Sequence, residues 1–128
     1  FRPDAFVSLL EARRKKVSFN QHVVDRLELE GIEVIWGRLG DEEINARYAS
    51  RPFNGIITRA ALSASEVLRL GKRILQPGGK ILLMMGAIDK GKRAELEEEA
   101  ITQGRSVVEV SPYRLPGLDR TRNLVLIR

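Results

Sequence analysis

An α/β fold built on a mostly parallel sheet and closed by a C-terminal antiparallel hairpin is what this sequence predicts, on three observations. Apolar runs of strand length alternate along the chain with stripes of helical period. Glycine- and proline-rich breaks separate them. The last two apolar runs, Ser106 to Tyr113 and Asn123 to Arg128, have only Arg114 to Arg122 between them. That gap is too short for a helical crossover, so these two runs pair antiparallel. The alternating part pairs parallel, with right-handed crossovers.

Taken in order, Arg2-Pro3-Asp4 reads as a turn and Ala5 to Leu10 as a short apolar strand. From Arg13 to Leu29 the pattern is helical, with Val17, Val24 and Leu27 on one stripe, Phe19 and Val23 beside it, and Gly31 as the stop. Glu33 to Trp36 is a second strand, and Asp41 to Tyr48 is a short helix ended by Pro52. Gly55 to Thr58 is a third strand. Ser63 or Ser65 caps a helix running to Leu75, since Glu66 follows Ser63 in capping-box spacing. Pro77-Gly78-Gly79 forces a turn. Ile81 to Met85 is a fully apolar strand, and Lys90 to Gln103 is a polar helix ending at Gly104.

With 128 residues the chain fits one domain, and 43% hydrophobic with 30% charged residues is a globular balance rather than a disordered one. Lys and Arg outnumber Asp and Glu by 22 to 17, a net charge of +5 that permits a nucleic-acid partner without demanding one. There is no Cys, which excludes disulfides, thiolate metal sites and a Cys nucleophile. No long apolar run is present, so a reducing cytoplasm is the plain reading. The chain opens on Phe1 and enters a strand almost at once. An upstream segment is therefore expected.

Glu11 closes the apolar run Val7-Ser8-Leu9-Leu10. In doubly wound folds an acid at this strand end accepts hydrogen bonds from both ribose hydroxyls of an adenosine cofactor, and a carboxylate offers two acceptor oxygens in one plane. A solvated acid at a helix N-terminus, favoured by the dipole, fits the position equally well. Arg13-Arg14-Lys15-Lys16 is either a phosphate clamp for RNA or a solvated first helical turn. A basic cluster there opposes the helix dipole, so something else must favour it. Arg59, in Thr58-Arg59-Ala60, ends a strand at the carboxyl edge of the sheet, where open α/β sheets bind ligands. There it holds a phosphate or carboxylate in bidentate fashion, or forms a surface ion pair. His22 has no partners for metal or base chemistry, Glu97-Glu98-Glu99 reads as a solvated helix face, and Met84 and Met85 read as strand core. No G-x-G-x-x-G, P-loop, metal-ligand spacing or Ser-His-Asp set occurs.

The terminal antiparallel pair separates this sheet from an ordinary dinucleotide-binding fold, which runs parallel to its last strand. It points to a class I methyltransferase sheet, which is Rossmann-like. The chain resembles the glucose-inhibited division protein B family, the small-subunit ribosomal RNA guanine-N7 methyltransferases. The resemblance runs from Arg2 to Arg128 and is carried by RPD at Arg2 to Asp4, LLEARRKKVSF at Leu9 to Phe19, and WGR at Trp36 to Arg38. It continues with TRA at Thr58 to Ala60, PGGK at Pro77 to Lys80, and LPGLDRTRNLVLIR from Leu115.

This resemblance implies S-adenosylmethionine as cofactor, with Glu11, Ala12 and Arg13 at its ribose, Leu39 and Gly40 at its adenine, and Arg59 near cofactor and target base. It implies methyl transfer to N7 of a guanine in small-subunit (16S) ribosomal RNA, with that RNA or the small ribosomal subunit as partner and no metal or membrane. Arg13, Arg14, Lys15 and Lys16 are the RNA-contact candidates. No catalytic residue is implied beyond positioning, for which Arg59 is the nearest candidate. It also implies that the family's first strand and glycine-rich loop lie upstream of Phe1, making 1–128 the C-terminal part of a single methyltransferase domain. The chain departs from the family at Gly40, where an acid is usual, and at Met85, where a Lys is usual. Asn20 stands in place of an apolar residue, and the basic tail of many members is missing. These departures keep two alternatives open: a divergent methyltransferase of the same fold with another substrate, and a non-catalytic RNA-binding paralogue.

Overall fold

The computed structural model describes residues 4–59, 62–117 and 119–128. Arg2 and Pro3 of the expected first turn, Ala60 after Arg59, and Leu118 lie outside the described residues. In chain order the elements are β1 (Val7–Glu11), α1 (Arg14–Arg26), β2 (Ile32–Trp36), α2 (Glu42–Tyr48) and β3 (Phe53–Arg59). They continue with α3 (Ala64–Gly71), β4 (Leu75–Met85), α4 (Lys90–Thr102), β5 (Val107–Arg114) and β6 (Thr121–Ile127). The chain divides into two compact units, Phe1–Ile44 and Asn45–Arg128.

In the first unit β1 and β2 pair parallel, in register from Val7–Ile32 to Glu11–Trp36, with α1 as the crossover. Helix α1 stops at Arg26, short of the expected Leu29. Glu28 takes a left-handed backbone (φ 48°), its N–H donates to the Asp25 carbonyl, and the Leu29 N–H reaches back to the Val24 carbonyl. This is a Schellman closure, and Glu28 fills the place usually held by glycine. The helix buries Val24, with Val17 and Val23 half-buried, but Phe19 is 66% exposed and Leu27 is also exposed. Phe19 lies two positions on from Val17, roughly 200° round the helix, and Leu27 falls past the last turn.

In the second unit the strand order is β3-β4-β6-β5. Strands β3 and β4 are parallel, and β6 runs antiparallel to both β4 and β5. The expected terminal hairpin is therefore present. The described strands form a two-stranded and a four-stranded sheet. Strands β1 and β3 each have one neighbour among the described strands.

Ser63 is the N-cap of α3. Its hydroxyl accepts the Glu66 N–H at 3.2 Å, and the Glu66 carboxylate accepts the Ser63 N–H at 3.0 Å, a reciprocal capping box. Those bonds to the Ser63 hydroxyl and N–H hold the Glu66 carboxyl below its ordinary value. Glu66 therefore contributes stability that is present above the unfolded carboxylate range and is lost as pH falls through the lowered value. Ser63→Ala is expected to cost about 1 kcal/mol in a urea melt near neutral pH. It should also flatten the acid limb of stability against pH.

Helix α3 ends at Gly71, not Leu75. The chain reverses through turns at Arg73 and Ile74, whose N–H groups reach the Leu70 and Gly71 carbonyls. The same reversal starts β4 early, at Leu75, and Pro77-Gly78-Gly79 is absorbed inside the strand as an irregularity. The register with β3 jumps from Phe53–Leu75 to Gly55–Lys80.

The core lies on one face of the four-stranded sheet. Ile81, Leu83, Val125 and Ile127 are buried there, together with Val67 and Leu68 of α3 and Leu96 and Ala100 of α4. On the opposite face Leu82, Met84, Leu124 and Leu126 are half-buried, and Ile57 of β3 is 72% exposed. Among the described residues no helix is long and apolar enough to cross a membrane.

Candidate functional site

Parallel pairing brings the carboxyl ends of β1 and β2 side by side, with Glu11 opposite Trp36. The chain leaves both strands into turns, and these turns build the site. After β1, the Glu11 Oε1 accepts the Arg13 N–H at 2.9 Å, so the acid anchors the start of α1. Lys16 Nζ stands 3.8 Å from the other carboxylate oxygen, and the Glu11 side chain remains 24% exposed. One backbone donor and one distant ammonium leave lone pairs on both oxygens.

After β2, Gly37 donates its N–H to the Glu11 carbonyl at 3.1 Å. A Cβ at Gly37 would stand 2.9 Å from Ile44 Cδ1, so a side chain here would push the β2 exit off α2. The next turn is closed from both sides: Asp41 Oδ2 accepts the Arg38 N–H at 2.7 Å, and the Arg38 carbonyl accepts the Asp41 N–H at 3.1 Å. Leu39 and Gly40 form its tip. Gly40 has φ 99°, a backbone that an acidic side chain adopts only with strain. The carboxylate next to it, on Asp41, is spent on the turn itself.

Trp36 ties the two turns together. Its indole N–H donates to the Ala12 carbonyl at 3.0 Å, and the Arg14 guanidinium lies 4.1 Å over its ring. Ala12, Trp36, Gly37, Arg38 and Asp41 line an open cleft of about 360 Å³. This arrangement accounts for the basic start of α1, whose first turn has no acidic residue. Arg14 is held by Trp36 and Lys16 faces Glu11, while Lys15 and Arg13 are exposed.

The first unit thus holds Glu11, Ala12, Arg13, Leu39, Gly40 and the basic run. Arg59 belongs to the second unit, exposed at the carboxyl end of β3 beside Met84 of β4. In the same unit Asn123, a buried polar residue, donates from its amide to the Gly86 carbonyl at 2.7 Å just past β4. Sequence reasoning did not single out Trp36, Asp41 or Asn123 as functional. Pairing Glu11 with the last residue of β2 would have flagged Trp36. Among the described residues no group of three or more His, Cys, Asp or Glu is placed to hold a metal ion.

The GidB family, described as rRNA small subunit methyltransferase G, matches residues 1–124 of the chain. A ribosomal RNA small subunit methyltransferase G from Chromobacterium violaceum is 33% identical over 124 residues, which are 97% of this chain and 54% of that protein. The similarly named protein G 1 of Syntrophobacter fumaroxidans is 33% identical over 127 residues, covering 98% of this chain and 56% of that protein. The chain therefore spans about half the length of the relatives it matches. Among solved structures, a methyltransferase from Pyrococcus furiosus superposes with TM-score 0.74 at 15% identity, over 95% of this chain and 61% of that one. Aeropyrum pernix fibrillarin with natively bound S-adenosyl-L-methionine superposes with TM-score 0.72 at 17% identity, over 96% of this chain and 55% of that one. The fold is that of the class I methyltransferases.

Proposed function

Because the chain belongs to the rRNA small subunit methyltransferase G family, we propose that it takes part in methyl transfer from S-adenosylmethionine to N7 of a guanine in small-subunit ribosomal RNA. Residues 1–128 are then part of a longer methyltransferase domain, working in the cytoplasm on that RNA or on the small subunit. The observation that carries the reading is Glu11 at the end of β1, next to the cleft between the two turns.

The donor set suits an adenosine cofactor. The Glu11 carboxylate has acceptor capacity left for a ribose diol, and a cleft of about 360 Å³ lies within the range of small-molecule sites. Glu11, Ala12 and Arg13 would hold the ribose, and Leu39 and Gly40 the adenine. When bound, the cofactor supplies an electrophilic methyl group on a sulfonium. Guanine N7 is an unprotonated lone pair at neutral pH, so the chain needs no general base. What its residues contribute is alignment. Trp36 and Asp41 stiffen the two turns, so less ordering is left for the moment of binding. Arg59 and the exposed cations of the 13–16 run are candidates to steer and seat the polyanion.

Met85 and Gly40, in place of the family's usual Lys and acid, favour a second reading: a methyltransferase of the same fold with a different substrate. Both readings require the cofactor. Calorimetric titration of the full-length protein with S-adenosylmethionine should show binding that Glu11→Ala weakens about tenfold or more, the size of a hydrogen bond to a charged group. Unchanged affinity in the variant would remove Glu11 from the site. Transfer of labelled methyl to small-subunit ribosomal RNA, mapped to guanine N7, tests the substrate. Cofactor binding without transfer to that RNA would favour the second reading. RNA binding without cofactor binding would mark a non-catalytic paralogue.

A further inference from the structure

Strands β3 and β4 are parallel and β6 runs antiparallel to β4. Their carboxyl ends therefore share one sheet edge with the start of β6 and the end of β5. The pairs Arg59–Met84, Met85–Asn123, Tyr113–Arg122 and Arg114–Thr121 fix that edge in register. With neighbouring strands roughly 4.8 Å apart, three strand intervals spread it over about 14 Å. It is strongly cationic. Arg59 stands on β3, and Arg114, Arg120 and Arg122 stand around the mouth of the β5–β6 hairpin. Asp119 is the one carboxylate between Tyr113 and Arg122.

These cations are not consumed by protein acids. Among the described residues the side chains of Arg59, Arg120 and Arg122 have no hydrogen-bond or ion-pair partner, and the Nε of Arg122 is buried without an acceptor. Arg114 donates only to the Thr121 hydroxyl, at 3.3 Å. A surplus of guanidinium groups along one edge raises its positive potential, and a polyanion docking there is attracted to it and releases its own counterions. Pro112, Tyr113, Arg114 and Thr121 also line an open hollow of about 350 Å³. Its half-buried tyrosine ring offers a face for stacking, and aromatic rings set among arginines are how single-stranded nucleic acid is gripped.

We propose that the mouth of the β5–β6 hairpin is a single-stranded RNA-binding surface, with Arg114, Arg120 and Arg122 on phosphates and Tyr113 stacked on an unpaired base that flanks the target nucleotide. The proposal rests on the reading of the substrate as RNA and adds to it a set of contact residues in the second unit. It places this surface on the sheet edge that carries Arg59.

The test is equilibrium binding of the full-length protein to protein-free small-subunit ribosomal RNA over a range of salt. Replacing Arg114 and Arg120 together by alanine should lower the log–log salt slope by about 1.4, or roughly 0.7 for each lost single-strand phosphate contact, with S-adenosylmethionine affinity unchanged. The R114K/R120K variant should keep the slope, which separates loss of charge from loss of fold. Tyr113→Leu should weaken binding about fivefold or more with the slope intact. A wild-type slope in the alanine variant, with the wild type binding and methylating RNA, would overturn the hairpin surface and leave the proposed function standing. A wild type that does not bind RNA at all would overturn both.

Discussion

Replacing Leu68 with alanine will destabilise the second unit by about 2–5 kcal/mol, the range for deleting a fully enclosed leucine side chain. Leu68 is 0% exposed on α3 and belongs to the same buried cluster as Val67, Ile81 and Leu96. Loss on that scale is a large fraction of the roughly 5–15 kcal/mol that holds a domain folded. Urea denaturation followed by far-UV circular dichroism will read it as a lower midpoint at constant slope. Ile101→Ala, on α4 and 70% exposed, is the control and should move the midpoint little. A Leu68 variant that melts like the Ile101 variant would mean that the core lies elsewhere than on the α3–α4 side of the sheet.

Residues 1–128 produced alone will neither melt in one cooperative step nor bind S-adenosylmethionine. The cleft and Glu11 are in the first unit, where Val24 and Ile44 are the described residues that are buried and apolar. A two-stranded sheet with so small a core is marginal in water. In the second unit β3 has one strand neighbour among the described residues and exposes Ile57, the kind of edge that pairs with other molecules. Hydrogen exchange should show β1 and β2 amides exchanging early and β4 and β6 amides late. A single sharp melt together with micromolar cofactor binding would overturn this.

What the sequence made legible was its strongest local signals. The continuous apolar run at Ile81 to Met85, the capping spacing of Ser63 and Glu66, and the short gap before Asn123 each specify one local structure. All three are where they were expected. The misplaced boundaries have tertiary causes. Helix α1 ends where Glu28 adopts a conformation that normally signals glycine, so Gly31 was the misleading marker. Leu70 and Ile74 continue a helical period across the real end of α3, because Ile74 is buried and Leu70 half-buried on either side of the reversal. Pro77-Gly78-Gly79 reads as a break but lies within β4, where the irregular register with β3 accommodates it. In the candidate site, the place of Glu11 at the end of a strand was legible from the apolar run before it. Trp36 was not, because its role depends on pairing with a strand 25 residues earlier in the register. A lone tryptophan carries no local sign of such a partner.

The order β3-β4-β6-β5 means that the sheet does not grow outward in the order in which the chain is written. Strand β5 comes before β6 in sequence, yet among the described strands its neighbour is β6, and β6 also pairs with the flank of β4. Thr121–Ile127 must therefore satisfy a register on both sides at once, against β4 and against β5. Asn123 makes that choice distinguishable. In the correct alignment its amide reaches the Gly86 carbonyl from the buried face. A slip of one residue turns Asn123 outward and drives Arg122 or Leu124 into its place, reversing every inward and outward position along the strand. This strand thus carries an alignment mark near its start, and a slipped pairing on either side forfeits that bond.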